Sequence, residues 1–360
     1  MPTKHKFTNS NYEGLMGCII FFISAICILS FTSATSKGAL QGLKISSNII
    51  IPSLFPFTVI SVFLQKSGGL LWVSKKINKI TYTFFKLNGT EFSVILISLL
   101  GGYPIGSKII DELYKSRQID YKTAKKLLRF CVNPSPAFFI SVVGINILNN
   151  KLVGWILLTS NTIACVVLNL LFNNSKKSKN DYSQTDYIQS ISLSDAFVES
   201  VFSGAQIIIS ICAWVTLFSA IAEILKPLFL SHSQLVLLCP LLEISFGINE
   251  IGKTGIPAFL YSFLLSFGGF STICQVKQSA EKLCPSFIYI FLNRIIHGAT
   301  ATIISFILFR IFPISSEVFS NGADIRPAEY TLFIPSVMLI VFSVLFLMFL
   351  SQKKESINFN

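Results

Sequence analysis

An arginine and a histidine stand together inside an apolar stretch, and they have the clearest capacity for chemistry in this sequence. Arg294 and His297 lie in the segment 291–298, FLNRIIHG. Ionisable side chains inside a membrane are costly, so they usually face a cavity or pair with another group. Arg294 is a candidate for holding an anionic ligand or for neutralising Glu243 or Glu250. His297 is a candidate proton carrier. In the alternative, both lie near a helix end and extend to the interface.

A pair of prolines predicts a break in another apolar segment. The segment 130–136 reads FCVNPSP, and proline removes a backbone donor and disfavours helix in the residue before it. The apolar span 121–148 is therefore predicted to unwind here, where its backbone would face protein or a water-filled cavity. Asn133 and Ser135 are candidate solute-binding residues, with Asn293 as the counterpart of Asn133 in the second half. The alternative is a plain kink.

Two glycine pairs interrupt apolar segments, one in each half of the chain: Gly101-Gly102 and Gly268-Gly269. Adjacent glycines are poor helix formers, so each segment is predicted to turn back as a re-entrant hairpin instead of crossing the membrane. Interrupted segments in matching positions of two halves are typical of a transporter binding site. The four glycines and Gln275 are therefore candidate solute-binding residues.

Acidic residues in apolar segments are few, and two of them are candidate ion or proton sites. Glu223 lies near the end of one apolar segment, and Glu243 precedes the second glycine pair; in the alternative, each stands at an interface. Walker, HExxH, GxSxG and dinucleotide motifs are absent, so no catalytic residue is assigned and no enzymatic activity is expected. The cysteines form no CxxC pair and the three histidines are scattered, so no metal or other cofactor is expected.

The composition is that of a multi-pass α-helical membrane protein. Hydrophobic residues make up 52% of the 360 residues, charged residues only 13%, and the mean hydropathy is +0.66. The formal charge of +12 is concentrated beside apolar segments, as expected for a cytoplasmic membrane face and not for a nucleic-acid-binding surface. The candidate spans are about 15–34, 38–65, 121–148, 152–172, 196–226, 286–312 and 331–351.

Weak internal similarity predicts two repeats. The glycine pairs lie 167 residues apart and Asn133 and Asn293 lie 160 apart, a nearly constant spacing that favours duplication. Twelve basic residues lie between 66 and 129, and four between 226 and 282. This asymmetry places the two segments on opposite membrane faces. The predicted fold is an all-α integral membrane protein with two inverted transporter-like repeats, re-entrant hairpins and broken helices.

The predicted organisation follows from these repeats. Residues 1–37 form an N-terminal tail and first transmembrane helix, 38–172 the first repeat, 173–195 a polar linker, 196–312 the second repeat, and 313–360 a loop, last transmembrane helix and tail. Lysines at helical spacing in 70–86 predict a helix in the membrane interface. Whether 235–246 adds an eighth crossing is left open.

Several segments resemble the YlbJ family of sporulation integral membrane proteins. They are 52–57 (PSLFPF), 101–108 (GGYPIGSK), 130–136 and 266–271 (SFGGFS). The resemblance implies a cytoplasmic-membrane protein of endospore-forming bacteria that is needed for the spore cortex. It also implies a Gate, or nucleoside-recognition, domain similar to parts of nucleoside and ferrous-iron transporters. Val132 stands where the family is expected to carry a second asparagine.

These observations predict a sporulation membrane protein of the cell membrane whose core moves or senses a small solute. Two alternatives remain open: a non-transporting structural partner of a sporulation membrane complex, and an ion-coupled transporter of nucleosides or other solutes. The expected partners are the lipid bilayer, a small solute, a second copy of the chain or other sporulation membrane proteins, and no nucleic acid.

Overall fold

The computed structural model describes residues 10–85, 87–172, 191–226, 232–252 and 254–313, and these contain helices and turns with no strand. Four helices in the described part are long and apolar enough to cross a membrane: Thr32–Lys66, Lys151–Phe172, Leu193–Leu225 and Phe287–Ile311. The predicted all-α membrane class is confirmed. The predicted span 331–351 and most of the predicted linker lie outside the described residues.

Fourteen α-helices and two π-helical segments make up the described chain. In order they are α1 (Ser10–Ser30), α2 (Thr32–Ile45), π1 (Ser46–Ile50), α3 (Ile51–Lys66), α4 (Gly69–Phe85), α5 (Gly89–Gly101), α6 (Tyr103–Lys115), α7 (Tyr121–Leu127), π2 (Phe138–Ile147), α8 (Lys151–Phe172), α9 (Leu193–Leu225), α10 (His232–Leu242), α11 (Ile244–Ile251), α12 (Leu260–Phe267), α13 (Gly269–Ser279) and α14 (Phe287–Ile311). π1 precedes Pro52, whose ring clashes with the carbonyl four residues earlier, so the helix widens there and continues.

The helix formed by α2, π1 and α3 packs antiparallel to α9. In the middle of α2, a Cβ on Gly38 would lie 2.5 Å from the Ser219 carbonyl oxygen; this close approach of backbones is typical of membrane helices. Near the end of α3, Lys66 Nζ lies 2.7 Å from Glu199 Oε2. At the other end of the pair, Lys37 Nζ lies 3.3 Å from Glu223 Oε2. These ion pairs define the Lys66 end and the Glu223 end of the molecule.

Two helical hairpins reach inward from opposite ends. In the first, α5 and α6 turn at Gly102, whose φ of +92° favours glycine, and Ser98 faces Gly106 across the turn. In the second, α10 and α11 turn at Glu243, and Gly247 lies against Pro240. The first hairpin opens toward the Lys66 end, where Gln65 donates to Glu112. The second opens toward the Glu223 end, where Lys226 Nζ lies 3.5 Å from Glu250.

The predicted break in the span 121–148 is confirmed. α7 ends at Leu127, residues 128–135 are turn and irregular chain, and π2 resumes at Phe138. α7 lies at the Lys66 end, because Lys126 Nζ is 2.8 Å from Glu91 Oε1 at the start of α5. π2 ends at the Glu223 end, where Ile147 lies against Gly252, beside Glu250. The segment therefore passes through the bundle in two helical pieces.

The second glycine pair differs from the hairpin that the sequence predicted. α12 begins at the Glu223 end and packs against α8 and α14, whereas α13 packs against α6 and α9. Beyond α13, Leu283 N donates to Asp111 Oδ1 at 2.8 Å, next to Glu112 at the Lys66 end. Gly268 and Gly269 have φ values of +80° and +82°, and their turn redirects the chain without reversing it. Residues 259–283 thus form a second broken passage through the bundle.

α8 and α14 run antiparallel and cover both broken passages. The Arg129 guanidinium contacts Phe172 at the end of α8 and Tyr289 at the start of α14. Toward the middle, Cys165 of α8 faces His297 of α14. Large apolar side chains cover the outside of the bundle; Phe202, Ile209 and Ile303 are each more than 60% exposed. This outer surface is suited to lipid and not to water.

Candidate functional site at the helix breaks

A buried chain of polar side chains joins the two breaks through α8. Ser266, beside the second glycine pair, donates to Asn161 Oδ1 at 2.8 Å. Asn161 Nδ2 donates to Asn133 Oδ1 at 3.1 Å, and Asn133 Nδ2 donates to the Phe130 carbonyl at 2.8 Å. Ser266, Asn161 and Asn133 are each 0% exposed. Because each amide needs partners in a dry interior, their geometry depends on both breaks being in place.

Arg294 supplies the charge in this cluster. It projects from α14 and donates from Nη1 to the Val132 carbonyl and, at 3.4 Å, to the Ser266 carbonyl; Nη2 donates to the Arg129 carbonyl at 2.5 Å. The side chain is 0% exposed. The unwinding after α7 leaves carbonyls without helical partners, and a guanidinium presents enough donors to satisfy several of them. Arg294 therefore fastens the first break and touches the second.

Within the described residues, no carboxylate forms an ion pair with Arg294, and its Nε has no hydrogen-bond partner. Of the two acids predicted as partners, Glu250 contacts Lys226 at the Glu223 end. Glu243 caps α11 by accepting from Phe246 N at 2.6 Å and is 2% exposed. Carbonyl oxygens therefore solvate the buried charge of Arg294. Glu243, at the tip of the neighbouring hairpin, is solvated by backbone N–H instead.

His297 lies one helical turn from Arg294, on the same side of α14. Its Nε2 is 3.6 Å from Cys165 Sγ, and Cys165 Sγ also lies 3.3 Å from Asn133 Oδ1. His297 Nδ1 has no hydrogen-bond partner in the described structure, and the ring is 0% exposed. Arg294 and His297 are both buried inside the bundle, and neither side chain reaches a helix end, which was the alternative left open by the sequence.

The glycines and Ser135 shape the site from the two turns. Gly102 lies at the tip of the first hairpin, where its added Cβ would be 3.9 Å from Ser135; Ser135 Oγ accepts from Phe138 N at 3.3 Å and so begins the helix after the break. Gly101 packs on Ile105 beside this tip. At the second break, Gly268 approaches Tyr103, and Gly269 approaches carbonyl oxygens at the end of α10. The second pair therefore permits close backbone contact, whereas the first pair supplies the positive φ of Gly102 at the hairpin tip.

Three other candidate residues lie outside this cluster. Asn293 donates to the Tyr289 carbonyl of its own helix at 2.6 Å, which is the bond expected of a polar residue in a membrane helix. Glu223 is 4% exposed and is paired with Lys37 and Lys226 at the Glu223 end. Gln275 donates to Ser271 Oγ at 3.2 Å and lines a separate cavity.

This separate cavity has a volume of about 250 Å³ and lies between α6, α9 and α13. Its lining combines apolar residues such as Ile207 and Ile211 with the polar and charged residues Lys108, Asp111, Gln206, Gln275 and Gln278. On α9, Gln206 and Ser210 border this cavity. Nearby, the hydrogen bond to Asp111 raises the pKa of Lys115. Within the described residues, no group of three His, Cys, Asp or Glu side chains could hold a metal ion.

Sequence reasoning missed Asn161, Cys165 and Ser98 as members of the cluster. Ser98 lies on α5 and receives a long bond of 3.4 Å from Asn133 Nδ2. Asn161 stands inside an apolar 22-residue helix, so the cost of burying an amide in a membrane was a usable signal. Cys165 gave no such signal, because cysteine is common in apolar interiors.

Apolar helices long enough to span a bilayer, an apolar outer surface and a buried polar cluster at helix breaks define a multi-pass α-helical integral membrane protein of the cell membrane. The chain is 22% identical over 337 residues to the sporulation integral membrane protein YlbJ of Bacillus subtilis (strain 168), which covers 82% of each protein. This similarity confirms the resemblance indicated by the sequence motifs. No protein-family model and no solved structure matches the chain.

Proposed function

We propose that the protein acts in sporulation, in spore cortex formation, and that its core moves or senses a small solute at the cluster of Asn133, Asn161, Ser266 and Arg294. The similarity to a sporulation membrane protein supports the process. A solute-handling core is supported by polar groups buried where two helices are broken inside an apolar bundle, since such groups are costly and usually functional. The proposed action is non-enzymatic.

We further propose that residues 32–172 and 193–311 are inverted repeats. Support comes from the antiparallel packing of Thr32–Lys66 against Leu193–Leu225 and from hairpins that reach inward from opposite ends. Each hairpin is followed by a broken passage and then by an unbroken helix, α8 or α14. In this correspondence the partner of the Gly102 turn is the Glu243 turn, and the partner of the proline break is the Gly268–Gly269 break.

The Lys66 end is proposed to face the cytoplasm. α4, α7 and the loop after α6 lie there with seven basic residues, and Lys66, Lys115 and Arg129 lie at the same end, whereas the Glu223 end carries Lys37, Lys151, Lys226 and Arg310. Basic residues collect on the cytoplasmic side of membrane proteins. With this orientation the first hairpin is re-entrant from the cytoplasm and the second from the outside.

The single observation that carries the proposal is that Arg294 and the Asn161 amide each contact both breaks. A solute that exchanges these hydrogen bonds for its own would release the two broken passages from one another. The site would then open toward one end without exposing apolar core, and solute binding would be coupled to movement.

Transport by purified protein in liposomes tests this proposal. The liposomes are exposed to the small-molecule extract of sporulating cells, and to labelled uridine and adenosine as defined probes for a nucleoside-transporter-like Gate core. Internal solutes are identified by mass spectrometry. We expect one class of solute to accumulate with wild-type protein, and Asn133→Ala and Arg294→Gln to reduce that uptake at least tenfold.

Matched controls separate transport from assembly. Asn249→Ala removes an amide that bonds its own helix, and Arg310→Gln removes an exposed charge from the same helix as Arg294; both should leave uptake unchanged. Two results together would favour a structural partner of a sporulation complex instead. Wild-type protein would take up none of the solutes, and cells carrying Asn133→Ala would sporulate normally as long as the variant protein is present in the membrane.

A further inference from the structure

Helix α4 carries a basic outer face that no other part of the described bundle covers. Lys75, Lys76 and Lys79 are exposed, and none forms an ion pair in the described structure. α4 contains no Asp or Glu. Two exposed aromatic residues flank the lysines: Trp72 is 65% and Tyr82 55% exposed. The outer face of α4 is these five residues.

The inner face of α4 is fastened to the first hairpin. Ser74 Oγ donates to Ser93 Oγ at 2.9 Å, and Asn78 Oδ1 accepts from Gly89 N at 2.7 Å. These bonds hold the three lysines level with the first turns of α5, at the base of the hairpin. In the second half only residues 226–231 separate α9 from α10, which is too short a segment for a helix of the length of α4. α4 is thus a helix added to the first hairpin, and its lysines point away from the bundle.

The geometry points to a binding surface for anionic phospholipid headgroups on the outer face of α4. An amphipathic helix with lysines on its polar side lies at the membrane interface, and clustered lysines attract acidic headgroups there. Tryptophan and tyrosine prefer the same level of the bilayer. Lys76 Nζ lies 5.9 Å from the Trp72 ring centre, which keeps the charge beside the interfacial aromatic residue. The bound lipid would anchor the first hairpin to the leaflet at the Lys66 end.

Lipid binding to the purified full-length protein tests this inference. The protein in detergent is titrated with phosphatidylglycerol or with phosphatidylcholine of the same acyl chains, and retained lipids are counted by native mass spectrometry. We expect wild-type protein to prefer phosphatidylglycerol. The variant Lys75→Gln/Lys76→Gln/Lys79→Gln should lose about fivefold in affinity for each lysine removed and should keep its affinity for phosphatidylcholine.

The matched control is Lys151→Gln/Lys277→Gln/Lys282→Gln, which removes the same charge from exposed lysines outside α4 and should keep the preference. Equal binding of the two lipids by wild-type protein, or equal losses in the two triple variants, would overturn the inference. Displacement of the lipid by inorganic phosphate alone would also overturn it, because the surface would then recognise a free anion.

A second measurement places the surface in the bilayer without relying on the lysine variants. In vesicles, brominated phosphatidylglycerol should quench the fluorescence of Trp72 more than brominated phosphatidylcholine does, with Trp72→Phe used to subtract the other tryptophans. Equal quenching by the two brominated lipids would contradict an acidic-lipid site at this helix.

Discussion

The two broken passages are interrupted by different residues, and they expose different amounts of backbone. The first break is built around Pro134 and Pro136 and extends over residues 128–135, whereas the second is a turn at Gly268 and Gly269. The proline break frees the carbonyls of Arg129, Phe130 and Val132, all of which accept hydrogen bonds from side chains. The glycine break is short, and its helices resume at once.

α8 and α14, which cover the two breaks, also differ in the side chains that they direct at them. Asn161 and His297 each stand ten residues after the first residue of their helix, Lys151 or Phe287. Seven residues after the same starting points, α14 has Arg294 and α8 has Leu158. The Arg294 guanidinium thus serves mainly the longer, proline break. It contacts the shorter, glycine break through one bond of 3.4 Å from Nη1 to the Ser266 carbonyl. The two passages need unequal support, because proline releases more carbonyls than a glycine turn does.

The largest expected effect concerns the path of the second passage. If residues 259–283 cross the bundle, the native Cys284 and an introduced Thr254→Cys lie on opposite sides of the membrane. In a background without the other cysteines, an impermeant maleimide applied to intact cells should label one of them and not the other. Ser116→Cys should behave like Cys284, and Lys151→Cys like Thr254→Cys. Labelling of Cys284 and Thr254→Cys from the same side would show that the segment around Gly268 and Gly269 is a re-entrant hairpin, as the sequence predicts.

Arg294→Met should produce the largest loss of stability. It leaves the Arg129 and Val132 carbonyls buried without donors, and each unsatisfied group costs about 1–3 kcal/mol. We expect a loss of about 3 kcal/mol in the free energy of unfolding, measured by thermal or denaturant unfolding in detergent. Arg310→Met, on the exposed end of the same helix, should change it little. Equal effects of the two variants would show that the proline break does not depend on Arg294.

The glycine break should be sensitive to alanine to a smaller extent. Gly269→Ala combines a left-handed φ with a Cβ about 3 Å from three carbonyl oxygens, whereas Gly68→Ala has a φ of +76° with nothing within 4 Å. A left-handed backbone alone costs about 1–2 kcal/mol. Gly68→Ala should therefore lose about 1 kcal/mol and Gly269→Ala about 2 kcal/mol or more in the same unfolding assay. Equal losses would mean that close packing contributes nothing at this turn.

The unequal breaks also explain which features could be predicted from sequence. The proline break was predictable because proline acts on its own residue and the one before it. The direction of the chain after Gly268–Gly269 was not, since a left-handed pair permits either reversal or continuation, and contacts of α13 with distant α6 and α9 decide between them. The Glu243 hairpin was missed for a similar reason: its reversal depends on Gly247 fitting against Pro240.

The smallest expected effect is the one that measures whether the breaks are coupled. Ser266 and Asn133 share Asn161 as a partner, so removing Ser266 should matter less once Asn161 is absent. A double-mutant cycle of Asn161→Ala and Ser266→Ala, measured by unfolding in detergent, should give a coupling energy of about 0.6–1 kcal/mol. Thr159→Ala replaces Asn161→Ala in the control cycle, because the Thr159 hydroxyl bonds its own helix, and its coupling to Ser266 should be near zero. Equal coupling in both cycles would mean that the Asn161 amide does not link the proline and glycine breaks, and the contact of both breaks with Arg294 would then have to transmit the effect of a solute from one break to the other.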